Sequence, residues 1–472
     1  MFHSEDLRLH FPHIPTHDQQ KTMELLVDFL NTTDSRTAFM LKGYAGTGKT
    51  SLIAALVKAL QTAGVGTVLL APTGRAAKVL SGYAGRRAFT IHKKIYRSKH
   101  LPNGNTEFSL ANNTHKSTLF IVDEASMIGL NSSDGGLFRN RSLLDDLISY
   151  VQNGDHCKLL LAGDIAQLPP VGCSESPALD SNFLRASYNM IFYEAELSEV
   201  VRQALDSSIL RNASNLRWRL ATQQFKQPVF RLFDRATDFV VLNPEQVSDA
   251  LQEAYNSYDV SEVAILCRSN KRANFYNRQI RYQALFKETE IEAGDLIMAV
   301  KNNYFWLEET SEAGFIANGD ILKIQSIRNI HELYGFRFAE MTVLMADYPE
   351  QQPVDIMVIL DTLYTEAPAL SDEQQNELFH HVMKEHSDIS SSARRLDAVK
   401  HDPHFQAVQI KFSYALTGHK SQGGQWNVVF IDQGFFREDM MNKEYFRWLY
   451  TAVTRAGEKL LLIGFPDDFF LR

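Results

Sequence analysis

Cysteine is nearly missing from this chain. Cys157, Cys173 and Cys267 are the only three in 472 residues. They form no CxxC pair and no Cys/His cluster, which excludes a disulfide framework and gives no sign of a zinc site. Long apolar runs are missing too. None approaches the ~20 residues of a membrane span, and the opening MFHSEDLRLHFPHIPTHDQQ has no apolar signal core. Internal repeats and low-complexity tracts are absent. So is an excess of positive charge: 48 Lys and Arg against 56 Asp and Glu leave a net charge of −8. By itself that balance weighs against nucleic acid, whose binders are usually basic. These absences lead us to expect a soluble cytoplasmic protein with no membrane partner.

The residues present are ordinary in amount, 44% hydrophobic and 22% charged, in a length suited to about three domains. Their arrangement is more informative. Arg86, Arg87, His92, Lys93, Lys94, Arg97, Lys99 and His100 crowd into one short stretch. Such a run is ordinarily a solvated face, but it becomes a phosphate track if the surrounding motifs bind DNA. Apolar runs of strand length at 37–42, 67–70, 118–122 and 158–161 alternate with helical patterns such as SLIAALVKAL. That alternation predicts a parallel sheet with crossover helices. A second such block starts near 262 with VAILCR. It is interrupted after 300 by three β-rich runs, ILKIQSI, FAEMTVLMA and VDIMVIL, and by a helix at 371–386 that opens on a capping box from Ser371 to Gln374. It resumes over 408–472.

Gly43-Tyr44-Ala45-Gly46-Thr47-Gly48-Lys49-Thr50 fits GxxxxGK[ST] between a strand and a helix, the context that motif requires. Its glycines let backbone N–H groups turn toward phosphate oxygens, and the helix start adds positive potential. Lys49 is placed to reach the β- and γ-phosphates of ATP, and the Thr50 hydroxyl to ligate Mg²⁺. Asp123-Glu124 closes the apolar strand LFIV. Asp123 would hold Mg²⁺ through water, and Glu124 would act as the general base on the attacking water. The next strand runs into Gly163-Asp164-Ile165-Ala166-Gln167-Leu168-Pro169-Pro170, where Gln167 can sense the γ-phosphate. The plainer alternatives are a Gly-rich turn, a helix-capping acid pair and a Pro-terminated loop.

Taken in order, GYAGTGKT, APTGRAAKVL, TIH, IVDEASM, GDIAQLPPVG, VVRQ, LTGHKSQGGQW and YTAVTRA resemble the motifs of the superfamily 1 helicases. DEAS and GDxxQLPPV are similar to the RecD/Dda branch. The resemblance implies an α/β fold of two RecA-like P-loop domains with parallel sheets. The first would occupy 1–195 with a β-hairpin insertion at about 93–116. The second would occupy 196–299 and 407–472, split by an SH3-like β-barrel with a helical arm at 300–406. It also implies Gln19 on the adenine edge, Gly424 at the nucleotide, and Arg202 and Arg455 reaching the γ-phosphate. Pro72, Thr73, Thr90, His92, Lys93, Phe108, His419, Lys420, Ser421 and Gln422 would contact DNA, mostly at phosphates, which position without reading sequence.

The implied activity is Mg²⁺- and ATP-dependent 5′→3′ translocation on single-stranded DNA with duplex unwinding. The chain would act as a monomer, with single-strand-binding or recombination proteins as partners. The other readings are a RecD-like subunit of an exonuclease or recombination complex, and a DNA-stimulated ATPase that does not unwind. Within the hairpin insertion, Asn103-Gly104 is the strongest short-range turn signal. A separating pin there would offer Tyr96 or Phe108 to a freed base, whereas a bland hairpin would be only solvated surface.

Overall fold

The structure is a computed structural model. It describes residues 2–34, 36–100, 106–130, 142–201, 207–233, 237–308, 310–348 and 350–471, without the side chains of 98–108. By packing, the chain divides into two compact units along lines other than the motif-based boundaries. One comprises Met1–Ile95, Leu110–Pro244 and Ser421–Arg472, and the other Tyr96–Ser109 and Glu245–Lys420.

The first unit is built on a six-stranded sheet in the order Ala88–Thr90, Gly66–Ala71, Thr118–Val122, Lys158–Gly163, Thr37–Gly43, Ile191–Leu197. Every pairing in it is parallel. TLFIV is buried at all five positions and KLLLAG at five of six, as strands covered by helices on both faces must be. From the strand at 37–43 the chain crosses to 66–71 and only later fills the two strands between. That reversal opens a crevice at the carboxyl ends of 37–43, 118–122 and 158–163, the usual ligand position in such sheets.

Side-chain caps fix where the flanking helices start. The Thr16 hydroxyl accepts from the Gln19 N–H, and the Gln19 side chain returns the bond to open His17–Asn31. Thr73 opens Gly74–Ala84, its Oγ1 accepting from Ala76 N at 3.2 Å. Phe29, Phe39, Leu52, Leu56 and Leu160 form the core between these layers. The same unit holds Phe239–Leu242, Ala456–Ile463 and Trp426–Asp432, joined in parallel. Helix Lys443–Val453 is buried at every position from Tyr445 to Val453.

In the second unit, Val263–Cys267 pairs in parallel with Ala415–Thr417. A closed barrel follows, made of Leu296–Ala299, Ile321–Leu333, Phe336–Met345, Val354–Ile359 and Val408–Phe412. The β-rich runs of 321–362 thus supply three barrel strands. Val408–Phe412, read from the sequence as the return of the α/β pattern, closes the barrel instead, pairing Ile297 with Phe412. A two-residue turn, Tyr334-Gly335, joins the long hairpin with φ of 55° and 79°, the sign that a type I′ turn needs at both central positions. Helices Asp372–Glu385 and Ser392–Lys400 place Leu378, Val382 and Val399 on Phe336, Phe338 and Ile359 of the barrel. Tyr96–His100 and Thr106–Leu110 pair with each other as a hairpin. The Asn103-Gly104 turn and the Phe108 side chain lie outside the described residues.

Candidate active site

Strand Thr37–Gly43 carries the chain into the Gly-rich loop, and helix Lys49–Thr62 carries it out. Gly46 and Gly48 have φ of 74° and 78°, where a Cβ is unfavourable. At Gly48 a Cβ would also stand 2.5 Å from Gln19 Nε2. The loop is braced from within and from behind: Thr47 Oγ1 donates to Tyr44 O at 2.8 Å, and Gln19 Nε2 donates to Thr47 O at 2.8 Å. No side-chain bond caps the start of the following helix, so its first N–H groups face the crevice for a ligand.

Lys49 is buried and pairs with Asp123, Nζ to Oδ1 3.3 Å. Burial alone would lower the lysine's pKa; the charges of Asp123, Glu124 and Asp164 outweigh it and hold the pKa above the ordinary range. Glu124 adopts a left-handed φ of 53° directly after the strand, a strained conformation for a residue with a side chain. Its Oε2 is buried without a hydrogen-bond partner among the described residues, and so are Gln167 Oε1 and Ser126 Oγ. Three orphaned buried acceptors beside a buried lysine are costly in a closed fold. They fit a site that takes a polar ligand, its water and a cation. Asp164 lies in the same corner, 2% exposed. Burial pushes its carboxyl pKa up, against the pull of a hydrogen bond from Tyr450 and of the Lys49 charge.

Tyr450 is a member of this site that motif spacing did not single out. Its hydroxyl donates to Asp164 Oδ2 at 2.7 Å and accepts from the Ala45 N–H of the loop at 2.9 Å. The next residue, Thr451, accepts at its Oγ1 from Leu168 N at 2.9 Å. From the LTGHKSQGGQW block, Gln422 Nε2 donates to Leu168 O at 2.6 Å. The GDIAQLPP loop is therefore held from two sides. The sequence signal was only that Tyr450 and Thr451 begin the YTAVTRA block.

The other expected residues are distributed as follows. Gln19 is buried in the capping box, with both ends of its amide on backbone atoms of Thr16 and Thr47. The Arg455 guanidinium donates to Gly424 O, Thr451 O and Thr454 Oγ1 at 3.1, 3.1 and 3.3 Å. Arg202 lies outside the described residues. Pro72 directly precedes the cap formed by Thr73, and Thr90 Oγ1 accepts from Lys93 N at 3.2 Å. Burial pushes the pKa of His92, next in the chain to Thr90-Ile91, down to about 4. In the second unit, His419 and Lys420 share a short 3-10 turn with Ser421, and burial pulls the Lys420 amine down to about 8. No helix among the described residues is long and apolar enough to cross a membrane.

Residues 17–226 match the AAA domain family, and residues 412–463 the UvrD-like helicase C-terminal domain. An uncharacterized protein of Acanthamoeba polyphaga mimivirus is 24% identical over 94% of this chain and 98% of its own length. The ATP-dependent DNA helicase dda of Enterobacteria phage T4 is 27% identical over 55% of each chain. The ATP-dependent RecD2 DNA helicase of Deinococcus radiodurans is 27% identical over 90% of this chain and 46% of its own. The chain thus aligns with about half the length of each of these two helicases. Among solved structures, that of two coordinating Pif1 helicases at forked duplex DNA shares 16% identity over 98% of this chain and 95% of that one, with a TM-score of 0.49. Bacteroides Pif1 with ADP-AlF3 and single-stranded DNA shares 15% over the same proportions, with a TM-score of 0.47.

Proposed function

Because the chain belongs to the superfamily 1 helicases, in their RecD/Dda branch, we propose that it hydrolyses Mg-ATP to move 5′→3′ along single-stranded DNA and to part duplex ahead of it. The observation that carries this reading is the gathering of Lys49, Asp123, Glu124 and Gln167 at three adjacent strand ends, with Glu124 Oε2 and Gln167 Oε1 buried and unpartnered among the described residues.

Each residue then has a task. Loop N–H groups and Lys49 hold the β- and γ-phosphates, Lys49 exchanging Asp123 for the nucleotide. Mg²⁺, held by the Thr50 hydroxyl and through water by Asp123, would neutralise charge between those phosphates. Glu124 takes the proton of the attacking water, and Gln167 bonds that water or the γ-phosphate. Arg455 reaches the transferring phosphoryl only by giving up its bonds to Gly424 O and Thr451 O. Each such bond is worth about 0.5–1.5 kcal/mol, a modest barrier that phosphate contacts can offset. Because Gly424 follows Gln422, whose amide holds the GDIAQLPP loop, that exchange would couple ATP to the segment expected to touch DNA.

The experiment is strand displacement on duplexes carrying only a 5′ or only a 3′ single-stranded tail, with Glu124→Gln as the control. Wild type should open the 5′-tailed duplex, and the variant should bind ATP yet open neither. Opening only from a 3′ tail would overturn the polarity. ATP hydrolysis stimulated by DNA with neither duplex opened would reduce the reading to a DNA-stimulated ATPase.

A further inference from the structure

We propose that Arg217 contacts the nucleotide, its guanidinium taking an oxygen of the terminal phosphate of a bound nucleoside triphosphate. This rests on the reading of Gly43–Thr50 as the phosphate loop and adds to it an arginine outside every motif block. Arg217 lies on helix Ser208–Ala221, which is firmly seated: Ser207 Oγ accepts from Leu210 N, and Asp238 Oδ2 accepts from Ser208 N at 2.8 Å. Ile209, Asn212, Ala213 and Leu216 are its buried face, and Arg217 stands at the edge of that face.

Its guanidinium carbon sits 4.6 Å from the centre of the Tyr44 ring, and Tyr44 is the second residue of the phosphate loop. The Tyr44 hydroxyl is already committed, donating to Glu196 Oε1 at 2.7 Å. The stack therefore orients the guanidinium without satisfying its in-plane donors, and Nη1 is buried with no partner among the described residues. Among the described residues, other cations of this corner are engaged: Lys49 by Asp123, Arg455 by Gly424 O and Thr451 O, Arg447 by Glu175. Burial raises the pKa of both Tyr44 and Tyr450, and the charge of Arg217 pulls against it at both hydroxyls. That places the guanidinium in the field of the Ala45 N–H and of Asp164, which Tyr450 bridges.

A buried, unsatisfied guanidinium donor costs more than a neutral one, because charge and hydrogen-bonding capacity are both uncompensated. The ligand that removes that cost is an anionic acceptor. A phosphate oxygen suits the planar fork, which a lysine ammonium cannot reproduce. A loop of this motif cradles the α- and β-phosphates, so a contact to the terminal phosphate should distinguish triphosphate from diphosphate.

The test titrates fluorescent ATP and ADP analogues into the full chain as wild type, Arg217→Gln, Arg217→Lys and Lys49→Ala, with thermal unfolding of each. Loss of one charge-assisted bond predicts about ten- to a hundredfold weaker ATP-analogue binding in Arg217→Gln. Binding of the ADP analogue should change by less than about threefold, Arg217→Lys should lie between, and the melting temperature should hold. Equal losses for both nucleotides, or none for either, would refute the contact. If Arg217→Gln melts early, Arg217→Lys decides alone by the same comparison. Lys49→Ala should weaken both nucleotides. Wild-type affinity there would sink the phosphate-loop reading itself, and Arg217 with it.

Discussion

Gln19 has two polar ends, and both rest on backbone. Its oxygen accepts from Thr16 N and its nitrogen donates to Thr47 O. The family resemblance assigns this residue the adenine edge, whereas the geometry makes it a strut behind the phosphate loop. The two roles separate in Gln19→Ala. Loss of the strut should weaken ATP and GTP binding together, several-fold, and lower stability by about 1–2 kcal/mol, the cost of its two side-chain hydrogen bonds. Binding of both nucleotides with stability of each variant measures this; a loss confined to ATP would return the residue to base recognition. Thr73 and Thr90 carry the same lesson. Both were expected to contact DNA from their motif blocks, and both hydroxyls accept helix-start N–H groups. Residue type gives the chemistry a side chain can do, and only geometry shows which partner already has it.

Elements differ in how openly their sequences declare them. The phosphate-loop strand and helix follow one another closely in sequence and are fully patterned, and the structure has them where the spacing predicts. Leu296–Ala299 and Val408–Phe412 were not separable from the α/β pattern, because strands of four and five residues buried throughout show no alternation. The Tyr334-Gly335 turn was hidden for another reason: a tyrosine occupies a positive φ that asparagine or glycine ordinarily announces. The hairpin at 96–110 is the opposite case. Its strands were legible and do pair, and Ala111 N closes its base by donating to Ile95 O at 2.7 Å. Whether it parts duplex is decided by replacing residues 100–108 with a short Gly-Ser turn. A pin should lose unwinding while DNA-stimulated ATP hydrolysis persists, since stacking on an aromatic is worth about 1–3 kcal/mol per base. Unwinding at the original rate would move the wedge elsewhere, most plainly to the 300–406 module.

At the scale of the molecule, a net charge of −8 and an affinity for DNA coexist only if the cations are placed locally. We propose that the Arg and Lys residues of the stretch from Arg86 to Lys99, together with Lys420, supply them. Binding through phosphates should then weaken at least tenfold between about 50 and 200 mM salt, with little change between sequences of equal length. A dissociation constant for single-stranded DNA that stays flat over that range would contradict it. The motif blocks made the catalytic corner legible in its parts, but Tyr450 and Arg217 escaped. No spacing rule links them to the loop they touch, and only folding brings them there.

The bond from Ala45 N to the Tyr450 hydroxyl spans 405 positions of sequence. A ribosome adds roughly 5–20 residues per second, so the phosphate loop is made some 20–80 s before the tyrosine that braces it. Until then Asp164 has no hydroxyl to hold and the GDIAQLPP loop lacks both Thr451 and Gln422. A chain not yet extended to Tyr450 lacks the hydroxyl that accepts from Ala45 N. The corner is thus completed by residues far along the chain from the loop that they brace.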